Sequence, residues 1–262
     1  MITPTAKQYE FKSGDASINI TRGGPNSDTS ICFIPGWGGD HWLWQQHFER
    51  CSQTHDSLIV DLPGFGRSQV PLSQLTVDAS AQLVADALID AGIKQCVLVG
   101  HSLGGAISLA IATLLGDKAQ AVIGVDSLAF NVIYPATSQE GIDEMVTPFR
   151  SDYVGAINGL ADAYMSENTP DGARDKIAAD MLSNDQKTGV RVLETYLAWD
   201  RDADLKRYQG PVYGLLAQVH EPIIDHRVTE RIVIEMVDNT GHYIMLDQPN
   251  ALHKKIDEVL KS

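Results

Sequence analysis

Short runs that are apolar on both faces recur along the chain at residues 30–34, 57–60, 95–99 and 121–125, and again at 211–216 and 232–237. Runs of this length suit strands buried on both sides in a parallel sheet. Two earlier segments, 8–12 and 16–21, flank the turn-forming triplet Ser13-Gly14-Asp15 and predict an antiparallel hairpin. Helical patterns separate the buried runs. One covers 41–51, and another covers 77–91, where Val77, Ala81, Val84 and Leu88 share a face before a stop at Gly92. A last helix is predicted at 250–260. Strand and helix alternate, which predicts an α/β fold with a doubly wound, mostly parallel sheet.

The alternation breaks between residues 130 and 209, where helix-like patterns and two prolines, Pro148 and Pro170, occur without a strand signal. This predicts a helical lid, or cap, of residues 130–209 inserted into a core domain of residues 1–129 and 210–262. With 262 residues and 44% hydrophobic content, the chain has the size and composition of one main folded domain. A formal charge of −14 with no basic run repels phosphate backbones and anionic headgroups, so neither nucleic acid nor membrane is an expected partner. The opening Met1-Ile2-Thr3-Pro4-Thr5-Ala6-Lys7 is polar and no apolar stretch reaches membrane-spanning length. A cytoplasmic protein without signal peptide is therefore expected. Cys32, Cys51 and Cys96 are too widely spaced for a zinc site and read as reduced, packed thiols. No metal and no cofactor is expected, and the oligomeric state is left open.

Chemistry enters at Gly100-His101-Ser102-Leu103-Gly104, which follows the apolar run Val97-Leu98-Val99 and precedes the small-residue helix Ala106-Ile107-Ser108-Leu109-Ala110. A G-x-S-x-G pentapeptide between strand and helix lifts its serine onto a tight turn at a helix head, which makes Ser102 the candidate nucleophile. A serine hydroxyl needs a base within reach and a third group to orient that base. Of the eight histidines, His242 alone follows the last apolar strand in a short loop, Thr240-Gly241-His242, before the final helix. In a parallel sheet that loop lies at the carboxyl edge, where Ser102 also emerges.

Four ordered motifs carry a family resemblance: Phe33-Ile34-Pro35-Gly36-Trp37-Gly38-Gly39, Asp61-Leu62-Pro63-Gly64-Phe65-Gly66-Arg67-Ser68, the Ser102 elbow, and Gly241-His242-Tyr243-Ile244-Met245-Leu246-Asp247-Gln248-Pro249. On these the chain resembles the α/β-hydrolase fold superfamily, in its lid-bearing serine hydrolase and esterase branch, over essentially its whole length. Pro35 stands where that family usually has histidine in a His-Gly pair. The elbow and the glycine-rich loop would supply the backbone N–H groups of Leu103 and Trp37 as an oxyanion hole. The acid departs from the family. The usual aspartate after the strand at 212–216 is missing from Ala217-Gln218-Val219-His220-Glu221-Pro222. Asp126, at the end of the neighbouring strand, is the favoured acid; Glu221 is the alternative, and Asp225 is expected to lie too far into a following helix.

Weaker expectations concern the surroundings. His101 reads as a packed elbow residue, and Trp42 and Trp44 as core. Phe130, Phe149, Tyr153, Tyr164, Tyr196 and Trp199 could form an apolar acyl pocket or a small core of the lid itself. The resemblance implies hydrolysis of a carboxylic ester or related acyl bond, thioester, lactone and carbon–carbon cleavage included, of a small to medium hydrophobic substrate through an acyl-enzyme. Pro35-Gly36-Trp37, Val125-Asp126 and the 217–222 segment also look similar to cofactor-independent dioxygenases of N-heteroaromatic rings, although Leu103 stands where those usually carry histidine. A ligand receptor with little turnover is a third reading.

Overall fold

In a computed structural model, which describes residues 6–133 and 137–261, the chain forms one eight-stranded sheet wrapped by helices. The first five residues of the polar opening fall outside the described residues, as do positions 134–136 of the expected lid. The strands are β1 (Lys7–Ser13), β2 (Ala16–Gly23), β3 (Thr29–Ile34), β4 (Ser57–Val60), β5 (Gln95–His101), β6 (Ala119–Val125), β7 (Val212–Ala217) and β8 (Ile232–Val237). Their order is β1-β2-β4-β3-β5-β6-β7-β8, with β2 antiparallel to both its neighbours and every later pair parallel. β3, β4 and β5 are almost wholly buried, as their two-sided apolar sequences require.

The helices are α1 (Gln45–Cys51), α2 (Val77–Asp90), α3 (Leu103–Leu115), α4 (Gln139–Ser151), α5 (Tyr153–Tyr164), α6 (Ala173–Ser183), α7 (Gln186–Leu197), α8 (Arg201–Arg207), α9 (Ile244–Asp247) and α10 (Pro249–Val259). α2 buries Val77, Ala81, Val84 and Leu88, and the Thr76 hydroxyl accepts the Ala79 N–H to close its first turn. The helix expected at 41–51 divides: a 3₁₀ turn, His41–Trp44, capped by the Asp40 carboxylate, leads into α1. The strand expected to end at 99 continues to His101, so the turn that follows is sharper than a loop. α10 starts on Pro249, whose missing N–H costs nothing in a first helical turn.

Among the described residues, the five helices α4 to α8 lie between β6 and β7. Pro148 sits inside α4 rather than ending it. Ile157, Ala161, Ile177, Met181, Val192 and Tyr196 of this insertion belong to the same buried cluster as the sheet. Among the described residues, Ile142, Val146 and Leu197 form a separate small core. The insertion is thus packed mainly onto the body of the molecule, with a small core of its own between α4 and α7.

Candidate active site

The carboxyl ends of β3, β5 and β6 and the loops after β7 and β8 meet at one edge of the sheet. β5 ends at His101 and α3 starts at Leu103, so Ser102 alone makes the reversal, with φ 53° and ψ −122°. That left-handed φ is uncommon for a residue with a side chain and is held from three sides. The Ser102 N–H donates to the Val125 carbonyl at 3.1 Å, while its own carbonyl accepts from Ser127 Oγ at 2.6 Å and from the Gly105 N–H at 2.9 Å. The flanking glycines are sterically required. A Cβ on Gly100 would lie 2.1 Å from the Gly104 carbonyl oxygen, and one on Gly104 would lie 2.3 Å from the oxygens of Ile34 and Pro35. The hydroxyl is therefore carried at the positive end of a 13-residue helix.

Gly36 to Gly39 form a tight turn, with the Gly39 N–H donating to the Gly36 carbonyl at 3.0 Å and Gly38 at φ +66°. A Cβ on Gly36 would meet His101 Nδ1 at 2.8 Å and Ser102 Cβ at 3.2 Å, so this backbone lies directly against the elbow. Trp37 is fixed by its indole, which donates to the Gly189 carbonyl at 2.8 Å and stands edge-on to Phe149. The turn is thereby tied to α7.

Asp126 is fully buried at the end of β6, also with positive φ. Its Oδ2 lies 2.6 Å from His242 Nδ1, and its Oδ1 accepts the Ala217 N–H at 2.9 Å. A second imidazole, His220, approaches from the loop after β7, with Nδ1 3.2 Å from Oδ1 and 3.0 Å from Oδ2. Burial pushes the Asp126 carboxyl up, but the hydrogen bonds from His220 and His242 outweigh it and lower the pKa to about 2. An ionised carboxylate only accepts, so Nδ1 of each histidine carries the proton and Nε2 of neutral His242 is left with its lone pair.

His242 is packed between His101 and Tyr164, with ring centroids at 4.4 and 4.2 Å. His101 Nε2 donates to the His242 carbonyl at 3.0 Å, and burial, with the nearby His242 charge second, holds its pKa well below the ordinary histidine value. It is a neutral packing residue, and its buried Nδ1 has no hydrogen-bond partner. The His242 N–H donates to the Tyr164 carbonyl at 3.0 Å, which ties the histidine loop to the end of α5.

Glu221 does not approach His242. It is exposed and accepts from Gln218 Nε2 at 2.7 Å. The histidine ring of the 217–222 segment, not its carboxylate, turns toward Asp126. Asp225 is not within a helix: it caps the short 3₁₀ turn His226–Val228 and is paired with Arg201 and Arg227 at 2.7 Å each. His220 and Asp247 were missed by reasoning from sequence; a histidine standing where a carboxylate is customary was the available signal for the first.

Gly36, Trp37, Ser102, Asp126, His220 and His242 all line one cavity of about 330 Å³. Much of the rest of its wall is carbon, including Val132, Ile133, Leu160, Met181, Leu193 and Leu197. Of the aromatic residues singled out, Phe130, Phe149, Tyr164 and Tyr196 line it as well. Trp199 instead donates to Asp204 at 3.0 Å, and Tyr153 packs its hydroxyl beside Gly189. Trp44 is fully buried against Phe33, whereas Trp42 is half-buried, bonded to Asp180 with Lys176 over its ring. All three cysteines are buried and free. Among the described residues no cluster of three or more His, Cys, Asp or Glu is placed to hold a metal, and no helix is long and apolar enough to cross a membrane.

The sequence model of the alpha/beta hydrolase family matches residues 33–254. Abhydrolase domain-containing protein abhd-5.2 of Caenorhabditis elegans is 25% identical over 261 residues, covering 88% of this chain and 59% of that protein. A pimeloyl-[acyl-carrier protein] methyl ester esterase of Neisseria meningitidis is 30% identical over 152 residues, 56% of this chain and 57% of its own. The chain spans three fifths or less of the length of these curated relatives. Among solved structures, an esterase from Exiguobacterium antarcticum superposes with a TM-score of 0.83 at 14% identity, covering 98% of this chain and 100% of the other.

Proposed function

The chain belongs to the alpha/beta hydrolase family, and from that premise we propose that it is a serine hydrolase that cleaves a carboxylic ester or related acyl bond of a small to medium hydrophobic substrate. The observation that carries this reading is the 2.6 Å bond from His242 Nδ1 to Asp126, which leaves Nε2 as the base in the cavity that Ser102 lines. In the first half-reaction Ser102 Oγ attacks the acyl carbon and its proton passes to His242 Nε2. The imidazolium is stabilised by Asp126, and the oxyanion by the backbone N–H groups of Trp37 and Leu103. Collapse breaks the bond to the leaving group, which takes the proton from His242. Water then repeats the sequence and releases the acid.

The carbon-lined part of the cavity suits the acyl group, and the inserted helices, which supply much of that wall, act as its lid. Esterase names among the relatives support an ester over other acyl bonds. A cytoplasmic setting and a free small-molecule substrate belong to the same proposal. The test is hydrolysis of p-nitrophenyl esters of graded acyl length by the parent and Ser102→Ala. The variant is expected to fold normally and lose at least about 10³-fold in kcat. Parental turnover in the variant would remove Ser102 from the mechanism, and oxygen uptake with a hydroxyquinolone that does not need Ser102 would point instead to the dioxygenase reading.

A further inference from the structure

Asp126 is shared between two imidazoles, and the mechanism above uses only one of them. His220 enters from the loop after β7, where its Nδ1 reaches both carboxylate oxygens, at 3.2 and 3.0 Å. Its ring stands edge-on to Phe130 at 5.5 Å and lies 6.4 Å from the ring of His242. Its side chain is 24% exposed, so solvent protons reach it, whereas Asp126 is sealed. Among the described residues, the Ala217 N–H is the other donor to Oδ1.

We propose that His220 is a positioning residue for the Asp126–His242 pair, a second imidazole that holds the same carboxylate from the loop after β7 and, when protonated, moderates its pull on His242. This rests on the serine hydrolase reading for its catalytic consequence but not for its physical content. The hydrogen bond to Asp126 raises the His220 pKa above the ordinary histidine value, against burial, which lowers it. The raised value lets His220 keep its second proton to higher pH than a free imidazole would. A cation bonded to the same carboxylate opposes a second proton on His242. The other groups around the pair leave this balance in place. Tyr164, packed on His242, has its pKa raised to about 12 by burial, and His101 is neutral. On the same loop Glu221 faces solvent beside Gln218, and Asp225 is neutralised by Arg201 and Arg227.

The test is imidazole NMR titration from pH 5 to 9 on the parent, His220→Asn and His220→Leu, with kcat and kcat/KM followed in parallel. Asparagine keeps a neutral donor near the Nδ1 position; leucine removes donor and charge together. In both variants the His242 titration is expected to move upward by about one pH unit, and the acid limb of kcat/KM to move with it. At pH 9, kcat of His220→Asn should stay within about threefold of the parent, while that of His220→Leu falls by about tenfold. Unchanged His242 titration in His220→Asn overturns the proposal, whether or not the leucine variant folds. Equal kcat in the two variants overturns the orienting part. If the parent turns over no ester, the hydrolase reading fails while the titration still decides this one.

Discussion

At the scale of single residues, the site depends on a carboxylate that burial pushes toward its neutral form. Asp126 stays ionised because three N–H groups converge on its two oxygens, and this sets the tautomer of His242. Asp126→Asn replaces an acceptor by an amide whose NH₂ also donates, so His242 is no longer held with its proton on Nδ1. The expected outcome is a fall in kcat of about 10⁴-fold with the circular dichroism spectrum retained. Glu221→Gln, whose parent side chain faces solvent, should leave kcat within about twofold. Comparable losses in both variants would reassign the acid.

At the scale of elements, the Asp247 side chain joins the histidine loop to the inserted helices, alongside the bonds of Tyr164 to His242 and of Asn168 to Asn239. The buried Asp247 carboxylate accepts the Gly241 N–H at 2.8 Å, Ser166 Oγ at 2.7 Å, Thr169 Oγ1 at 2.8 Å and Thr240 Oγ1 at 3.2 Å. Ser166 and Thr169 follow α5, while Thr240 and Gly241 precede His242. Asp247→Ala strands the Gly241 N–H and loosens both segments, at an expected cost of about 2–4 kcal/mol in urea unfolding. The same variant should show faster hydrogen exchange at the Gly241 and His242 amides; unaltered exchange would mean that the loop is held by other contacts. None of this was legible in sequence. The strands were, because two-sided apolar runs leave few alternatives, and so was the Ser102 turn, because glycine spacing encodes its sterics directly. Asp247 and His220 were not, because the partners that join them to other elements, Ser166 and Asp126, lie 81 and 94 positions away and carry no periodic signal. The insertion showed helical content but not its packing, since amphipathic patterns indicate which face is buried without naming what covers it.

At the scale of the whole molecule, buried neutral histidines shape the response to acid. Burial pushes His47 down to about 4, against the Met245 carbonyl it donates to, and holds His101 well below the ordinary value. The unfolded chain takes up these protons near pH 6.5, whereas the folded chain does so only well below that. The stability these two histidines contribute is therefore expected to be full above pH 6.5 and to decline as pH falls toward 4, while His41 and His220, whose values are raised, contribute in the opposite sense. Asp126, depressed to about 2, adds a loss below the unfolded carboxyl value near 4. His47→Gln, which keeps a donor for Met245, should flatten the upper part of this decline in melting temperature between pH 7 and 5; an unchanged slope would exclude His47 as its source.

The carbon lining of the cavity also bears on how a reaction there would end. Cleavage of an acyl bond turns a neutral guest into an anion, and the described residues lining the chamber include neither lysine nor arginine to retain it, while the imidazole of His220 is already engaged by Asp126. The surrounding protein carries a formal charge of −14. Its field and the poor solvation inside both favour expulsion of the freed acid into water, so the debris of one turnover clears the way for the next.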